Sequence, residues 1–115
     1  MHYHTRIRVF VEGSPDEPIA CAIVHLCDRD RFTRDDHLGM DITNTFGEAA
    51  FSFTDEDFLD IDDLIGGALP ELYVKVFDRH GGCAYSTRAA AVRNTVPEMI
   101  EVRVPRELAR RHELI

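Results

Sequence analysis

An all-β protein, an antiparallel β-sandwich of about seven to eight short strands, is predicted by three features of the sequence. Alternating apolar and polar residues recur along most of the chain, turn residues separate these stretches at short intervals, and only two segments carry helical signals. With 115 residues, the chain is expected to be one domain over 1–115, burying roughly two-thirds of the surface its unfolded form exposes.

Each element has its own justification. Thr5 to Val11 puts Ile7, Val9 and Val11 on one face and Arg6, Arg8 and Phe10 on the other. Residues 1–4 ahead of it are expected to be a flexible end, and Gly13-Ser14-Pro15-Asp16 is expected to turn the chain. Ala20 to Leu26 is apolar, too short for a helix and bounded by turn residues, hence a strand. Met40 to Thr45 and Glu48 to Thr54 are predicted to form a hairpin around Asn44-Thr45-Phe46-Gly47, with Ala49, Phe51 and Phe53 on one face. Thr54 or Asp55 then caps a short helix between strands: its first turn is acidic, Phe58, Ile61 and Ile65 follow at near-helical spacing, and Gly66-Gly67 stops it. After Pro70, Glu71 to Asp78 is the clearest strand, with Leu72, Val74 and Val76 opposite Tyr73, Lys75 and Phe77. Arg79-His80-Gly81-Gly82 turns it into Cys83 to Arg88, Pro97 breaks the chain, and Met99 to Val104 closes the fold with Ile100, Val102 and Val104 inward. Residues 105–115 are a charged tail, either frayed or a short C-terminal helix with Leu108, His112 and Ile115 on one side.

Charge and composition narrow the function. The formal net charge is −8, so the average field repels nucleic acid and anionic lipid, and neither a nucleic-acid partner nor membrane contact is expected. No apolar run reaches the roughly 18 residues of a membrane span, and the N-terminus lacks the apolar core of a signal peptide; the reading is a cytoplasmic protein. Cys21, Cys27 and Cys83 lack metal-ligand spacing and read as small buried hydrophobes in a reducing compartment. The six histidines are scattered, nothing local marks a Ser-His-Asp nucleophile, and Gly66-Gly67 and Gly81-Gly82 lack the rest of a phosphate-binding loop.

The stretch with most chemistry is Cys27 to Gly39. Asp28, Asp30, Asp35 and Asp36 fall within nine residues, and a loop of that kind can turn several oxygens toward one hard cation. Calcium at Asp28, Asp30 and Asp36 is the metal reading. The spacing is not an EF-hand, since Thr33 stands where that loop needs glycine and Gly39 where it needs glutamate. Arg29, Arg31 and Arg34 supply the alternative: ion pairs within the loop and a turn pinned by aspartate side chains on their own backbone.

From Ala22 to Asp78 the order of motifs resembles the transthyretin-like families. The strand is followed by Asp28-Arg29-Asp30, then Asp35-Asp36-His37-Leu38-Gly39, then Thr43 to Gly47 as Thr-x-x-x-Gly, then Leu72 to Asp78. The resemblance implies a prealbumin-type sandwich serving as a non-catalytic binding or interaction module, through a protein partner or by self-association. Contact surfaces are expected at Phe10, Tyr73 and Phe77, which lie opposite the core set, and on the amphipathic tail. The related hydroxyisourate hydrolases end in a Tyr-Arg-Gly-Ser signature for which Tyr85-Ser86-Thr87-Arg88 is no match, so a small hydrolase is the weaker alternative. Asp28 to Gly39 also resembles a calcium loop of calcium-dependent phospholipid-binding domains, though its order relative to Leu72 to Val76 is reversed. That likeness implies the other alternative, a calcium-stabilised adhesion or membrane-contact domain.

Overall fold

The computed structural model describes residues 1–30, 34–58 and 69–115. Eight strands among them form two sheets: β1 (His2–Val11), β2 (Ser14–Pro18), β3 (Ile23–Asp28), β4 (Asp36–Ile42), β5 (Glu48–Thr54), β6 (Leu72–Phe77), β7 (Cys83–Ser86) and β8 (Met99–Val104). A short helix, α1 (Arg106–Arg111), follows β8. No helix among the described residues is long and apolar enough to cross a membrane.

The first sheet is organised by β1. It pairs antiparallel with β5 from His2 to Arg8, antiparallel with β2 at Phe10 and Val11, and parallel with β8 from Arg6 to Val11. A strand has two edges, so the overlaps at Arg6 to Arg8 and at Phe10 to Val11 put β5 and β2 end to end on one side and β8 on the other. This sheet is therefore at most three strands wide, although four strands compose it. The second sheet is four strands wide, in the order β4-β3-β6-β7.

The alternation in the sequence decides what lies between the sheets. Ile7, Val9 and Val11 meet Val24, Leu26, Val74, Val76, Val102 and Val104, each fully out of solvent, with Phe51 and Phe53 filling the gap. Burying such a side chain stabilises the fold by about 1.5–3 kcal/mol. The all-β, two-sheet expectation holds, with one qualification: the β1–β8 pair is parallel, so the sandwich is not wholly antiparallel.

Several expectations are corrected. Residues 1–4 are not a loose end. β1 begins at His2 opposite Thr54, and the Tyr3 ring stacks on Phe53 at 5.3 Å while its hydroxyl donates to Asp55 at 2.7 Å. The turn expected at Gly13 to Asp16 is shorter, because Ser14–Pro18 returns along β1 as a fragment of strand. Two prolines hide it, since Pro15 and Pro18 lack the N–H that a ladder uses and are tolerated only at an edge. β3 starts at Ile23 rather than Ala20, because Cys21 takes φ +59 and breaks the extended run.

The predicted hairpin at Asn44 to Gly47 is a turn between sheets. β4 belongs to one sheet and β5 to the other. Buried Thr43 anchors the crossing, its hydroxyl donating to the Ile19 carbonyl at 2.7 Å and accepting the Ala22 N–H at 2.9 Å. Of the helix expected after Thr54, a single 3-10 turn at Asp55–Asp57 is described, capped by the Asp57 carboxylate on the Thr54 N–H at 2.7 Å. The expected Ile61, Ile65 and Gly66-Gly67 positions lie outside the described residues.

The tail is the helical alternative, ordered from Pro105 onward. Ala109 is fully buried and Leu108 and Leu114 pack on the core, whereas Ile115, expected on the inner side, is exposed. The reason is the way the helix ends. Glu113 adopts φ +57, its N–H bonds the Arg110 carbonyl at 3.1 Å and that of Leu114 bonds the Ala109 carbonyl at 2.7 Å. This Schellman closure folds Leu114 back and throws the last residue outward. The cysteine expectation holds for Cys27 alone, since Cys21 and Cys83 are exposed thiols.

Gly47 is the position where the crossing tolerates no side chain. Its φ is +75, and a Cβ there would stand 2.4 Å from the Val9 carbonyl oxygen. Gly47→Ala is expected to destabilise the protein by about 3 kcal/mol or more, read from chemical denaturation, whereas Gly13→Ala, at φ +79 with open space around it, is expected to cost only about 1 kcal/mol.

Candidate functional site

The aspartate stretch is built around Asp35, the one aspartate of the four left out of the expected ligand set. Its Oδ2 accepts from the Tyr73 hydroxyl and from Arg88 Nε at 2.7 Å, and its Oδ1 from Arg88 at 3.1 Å and from the Asp30 N–H at 2.9 Å. The Arg88 guanidinium, chiefly, holds the Asp35 carboxyl well below the usual carboxylate range. Tyr73 is buried, and that burial, with Asp35 adding to it, pushes its phenol up.

Asp28 behaves differently. It ends β3 on the inward side, opposite Leu72 and Asp36, and accepts the Glu71 N–H at 2.8 Å. Burial raises its pKa to about 6, and the charges of Asp36, Asp30 and Glu71 add to the shift. Neither Asp30 nor Asp36 is without a partner. Among the described residues no three His, Cys, Asp or Glu side chains converge as a metal-ligand set. The cation that Asp35 meets is supplied by the chain itself. Arg29 adds a second tie, bonding Glu71 at 3.0 Å and the Arg88 carbonyl at 2.9 Å. Arg31 lies outside the described residues.

This knot fixes residues 87–92 against the edge of the second sheet. Thr87 Oγ1 accepts the Val74 N–H at 2.9 Å, and Leu72 and Val92 exchange backbone hydrogen bonds at 3.0 and 2.8 Å. The segment thereby becomes one wall of a cleft of about 320 Å³, near the lower end of the range for ligand pockets. Leu72, Val92 and Ile100 form its floor, Tyr85 a side, and Glu101 and Arg103 of β8 its rim. It lies where the second sheet carries β7 and the first has no strand beyond β8.

The expected contact residues are distributed otherwise. Phe10 is 3% exposed, sandwiched by the guanidiniums of Arg8 at 4.8 Å and Arg103 at 5.6 Å. Tyr73 is buried in the knot, and half-buried Phe77 packs on the His25 ring at 4.4 Å. Of the scattered histidines, strand pairing brings two together, His25 and His37 at 4.8 Å between ring centroids. Burial, then the neighbouring His37 and Lys75, lowers the His25 pKa. Nothing local in the sequence signals the Asp35–Arg88 pair, whose partners are 53 residues apart. Nor does any local pattern reveal the cleft, which follows from unequal sheet widths.

No protein-family model matches this chain, and no curated protein matches it. Among solved structures it is similar to a 9R-lipoxygenase from Cyanothece PCC8801, with a TM-score of 0.56 and 17% sequence identity. The match covers 87% of this chain and 15% of that chain. The likeness is one of fold: this arrangement of strands recurs within a small part of a far longer polypeptide.

Asp28 makes stability depend on pH in a stated direction. Its folded value of about 6 exceeds an unfolded value near 4, so the folded state takes up the proton first and stability rises as pH falls from about 7 toward 4. Ionised Asp28 costs on the order of 2 kcal/mol at neutral pH. Asp28→Asn is expected to lack this rise and to match or exceed the parent in Tm at neutral pH; parallel Tm-against-pH curves for the two proteins would contradict the assignment. The calcium reading at Asp28, Asp30 and Asp36 has its own test: it requires a calcium-dependent rise in Tm of several degrees that chelator reverses, and an unchanged Tm removes it.

Proposed function

We propose that the chain is a non-catalytic interaction module whose contact surface is the open side of the sandwich, the cleft between β8 and β7. The observation that carries this reading is the mismatch in width, with three strands in one sheet facing four in the other. Half-buried Tyr85 and Val92 thereby reach solvent above the buried Leu72 and Ile100, under a rim of Glu101 and Arg103. The acids and bases of the aspartate stretch are engaged with one another in holding the wall of this cleft, a structural task rather than a chemical one. A transthyretin-type module is the family reading in keeping with this. Its support is the succession of β3, Asp35 leading into β4, the turn from Thr43 to Gly47, and β6. Modules resembling that family serve as accessory or binding domains.

Ala90 lines the cleft and is exposed, so a large side chain there plugs the opening without entering the core. Panning a displayed library of random peptides against the protein is expected to enrich binders that lose the target when it carries Ala90→Trp. Enriched binders that hold the variant as well as the parent would place the contact surface elsewhere.

A further inference from the structure

We infer that the open side is a strand-acceptor site: a short extended segment of another protein pairs with the free edge of β8 and becomes the missing fourth strand of the first sheet. This names the partner for the interaction surface proposed above and rests on that reading.

The hydrogen-bond register identifies which groups are available. Arg6 N–H bonds the Glu98 carbonyl and Glu12 N–H bonds the Val104 carbonyl, with Arg6 opposite Met99 and Val11 opposite Val104. In a parallel ladder this turns the backbone of Ile100, Val102 and Val104 toward β1 and that of Met99, Glu101 and Arg103 away from it. β8 pairs with no other strand. Its outward N–H and C=O groups therefore form a pairing edge in the sense that governs strand addition.

The opposite side of the sandwich shows how this protein closes an edge it does not offer. Three of the four outward N–H groups of β5 are taken by side chains: Glu48 by Asn44 at 3.0 Å, Ala50 by Asp41 at 3.0 Å, and Thr54 by Asp57 at 2.7 Å. On β4 the Ile42 N–H is taken by Asp41 at 2.8 Å. Among the described residues, no side chain caps the outward groups of β8 in this way.

The cleft specifies the occupant. An added strand lies beneath β7, and its alternate side chains point down onto Leu72, Val92 and Ile100, while the intervening ones stand on the outer face beside Glu101 and Arg103. Glu101 and Arg103 pair with each other at 3.1 Å, so the segment that fits is extended, with small aliphatic side chains at alternate positions and, between them, a base and an acid two residues apart that can exchange partners with that pair. A second copy joined through β8 by a two-fold axis is the competing occupant, and the dependence of amide protection on protein concentration separates the two.

Short synthetic peptides in which valine or isoleucine alternates with glutamate and lysine are the probe, used with the full chain. Amide hydrogen exchange at Met99, Glu101 and Arg103 is expected to slow by about tenfold or more on saturation, with Ile100 and Val102, already in the ladder, unchanged. N-methylation of every second peptide residue is expected to abolish binding, while N-methylation of the others leaves it intact. Glu101→Pro removes an outward N–H without touching the β1 ladder and is expected to weaken binding by about tenfold. A peptide that binds and is displaced by Ala90→Trp, yet protects none of the three amides, would overturn strand addition and leave the interaction module standing. No binding by any peptide would remove both. Protection of the same amides that grows with protein concentration in the absence of peptide would make a second copy the occupant and overturn the assignment.

Discussion

β1 is hydrogen-bonded along both of its edges, and the shape of the molecule follows from how it divides them. Giving one edge to β5 and then β2, and the other to β8, limits the first sheet to three strands. The second sheet meets no such limit. Two layers of unequal width cannot cover each other, so one margin of the interior is left under a single overhanging strand. At the other margin the chain crosses from β4 into β5, and Asp41 reaches both strands.

The polar knot at Asp35 is the counterpart of that constraint at the end of the second sheet. Tyr73, Arg88 and the Asp30 N–H converge on one carboxylate, and Arg29 ties Glu71 to the Arg88 carbonyl. Arg88 is half exposed whereas Tyr73 is buried. The energetic weight therefore falls on the tyrosine and on the shielded Asp35 oxygen more than on the outer rim of the ion pair. Asp28, a few residues away, has no cation of its own among the hydrogen bonds it makes and carries a raised pKa instead. One short stretch thus holds two carboxylates whose surroundings push them in opposite directions.

The sequence made the interior legible because burial imposes a period of two on it. Ile7, Val9 and Val11, the Phe51 and Phe53 pair, Leu72, Val74 and Val76, and Ile100, Val102 and Val104 all face inward as their alternation requires. What period two cannot report is which strand lies beside which. The crossing at Asn44 to Gly47 has the residues of a hairpin turn and joins different sheets; β2 is masked by its prolines; and the parallel alignment of β8 leaves no local mark. The candidate site was legible only in part. Cys27 to Gly39 did contain the polar centre, but the partner of Asp35 is Arg88, which tertiary folding alone brings to it. The cleft depended on a count of neighbours across each sheet.

The side-chain caps along β5 have a consequence for assembly. A sandwich with two bare margins is a monomer unit for a filament, since each copy accepts a strand on one flank and presents one on the other. Here the Asn44, Asp41 and Asp57 side chains occupy three of the four outward N–H groups of β5, so a strand arriving on that flank has to displace them before it can extend the sheet.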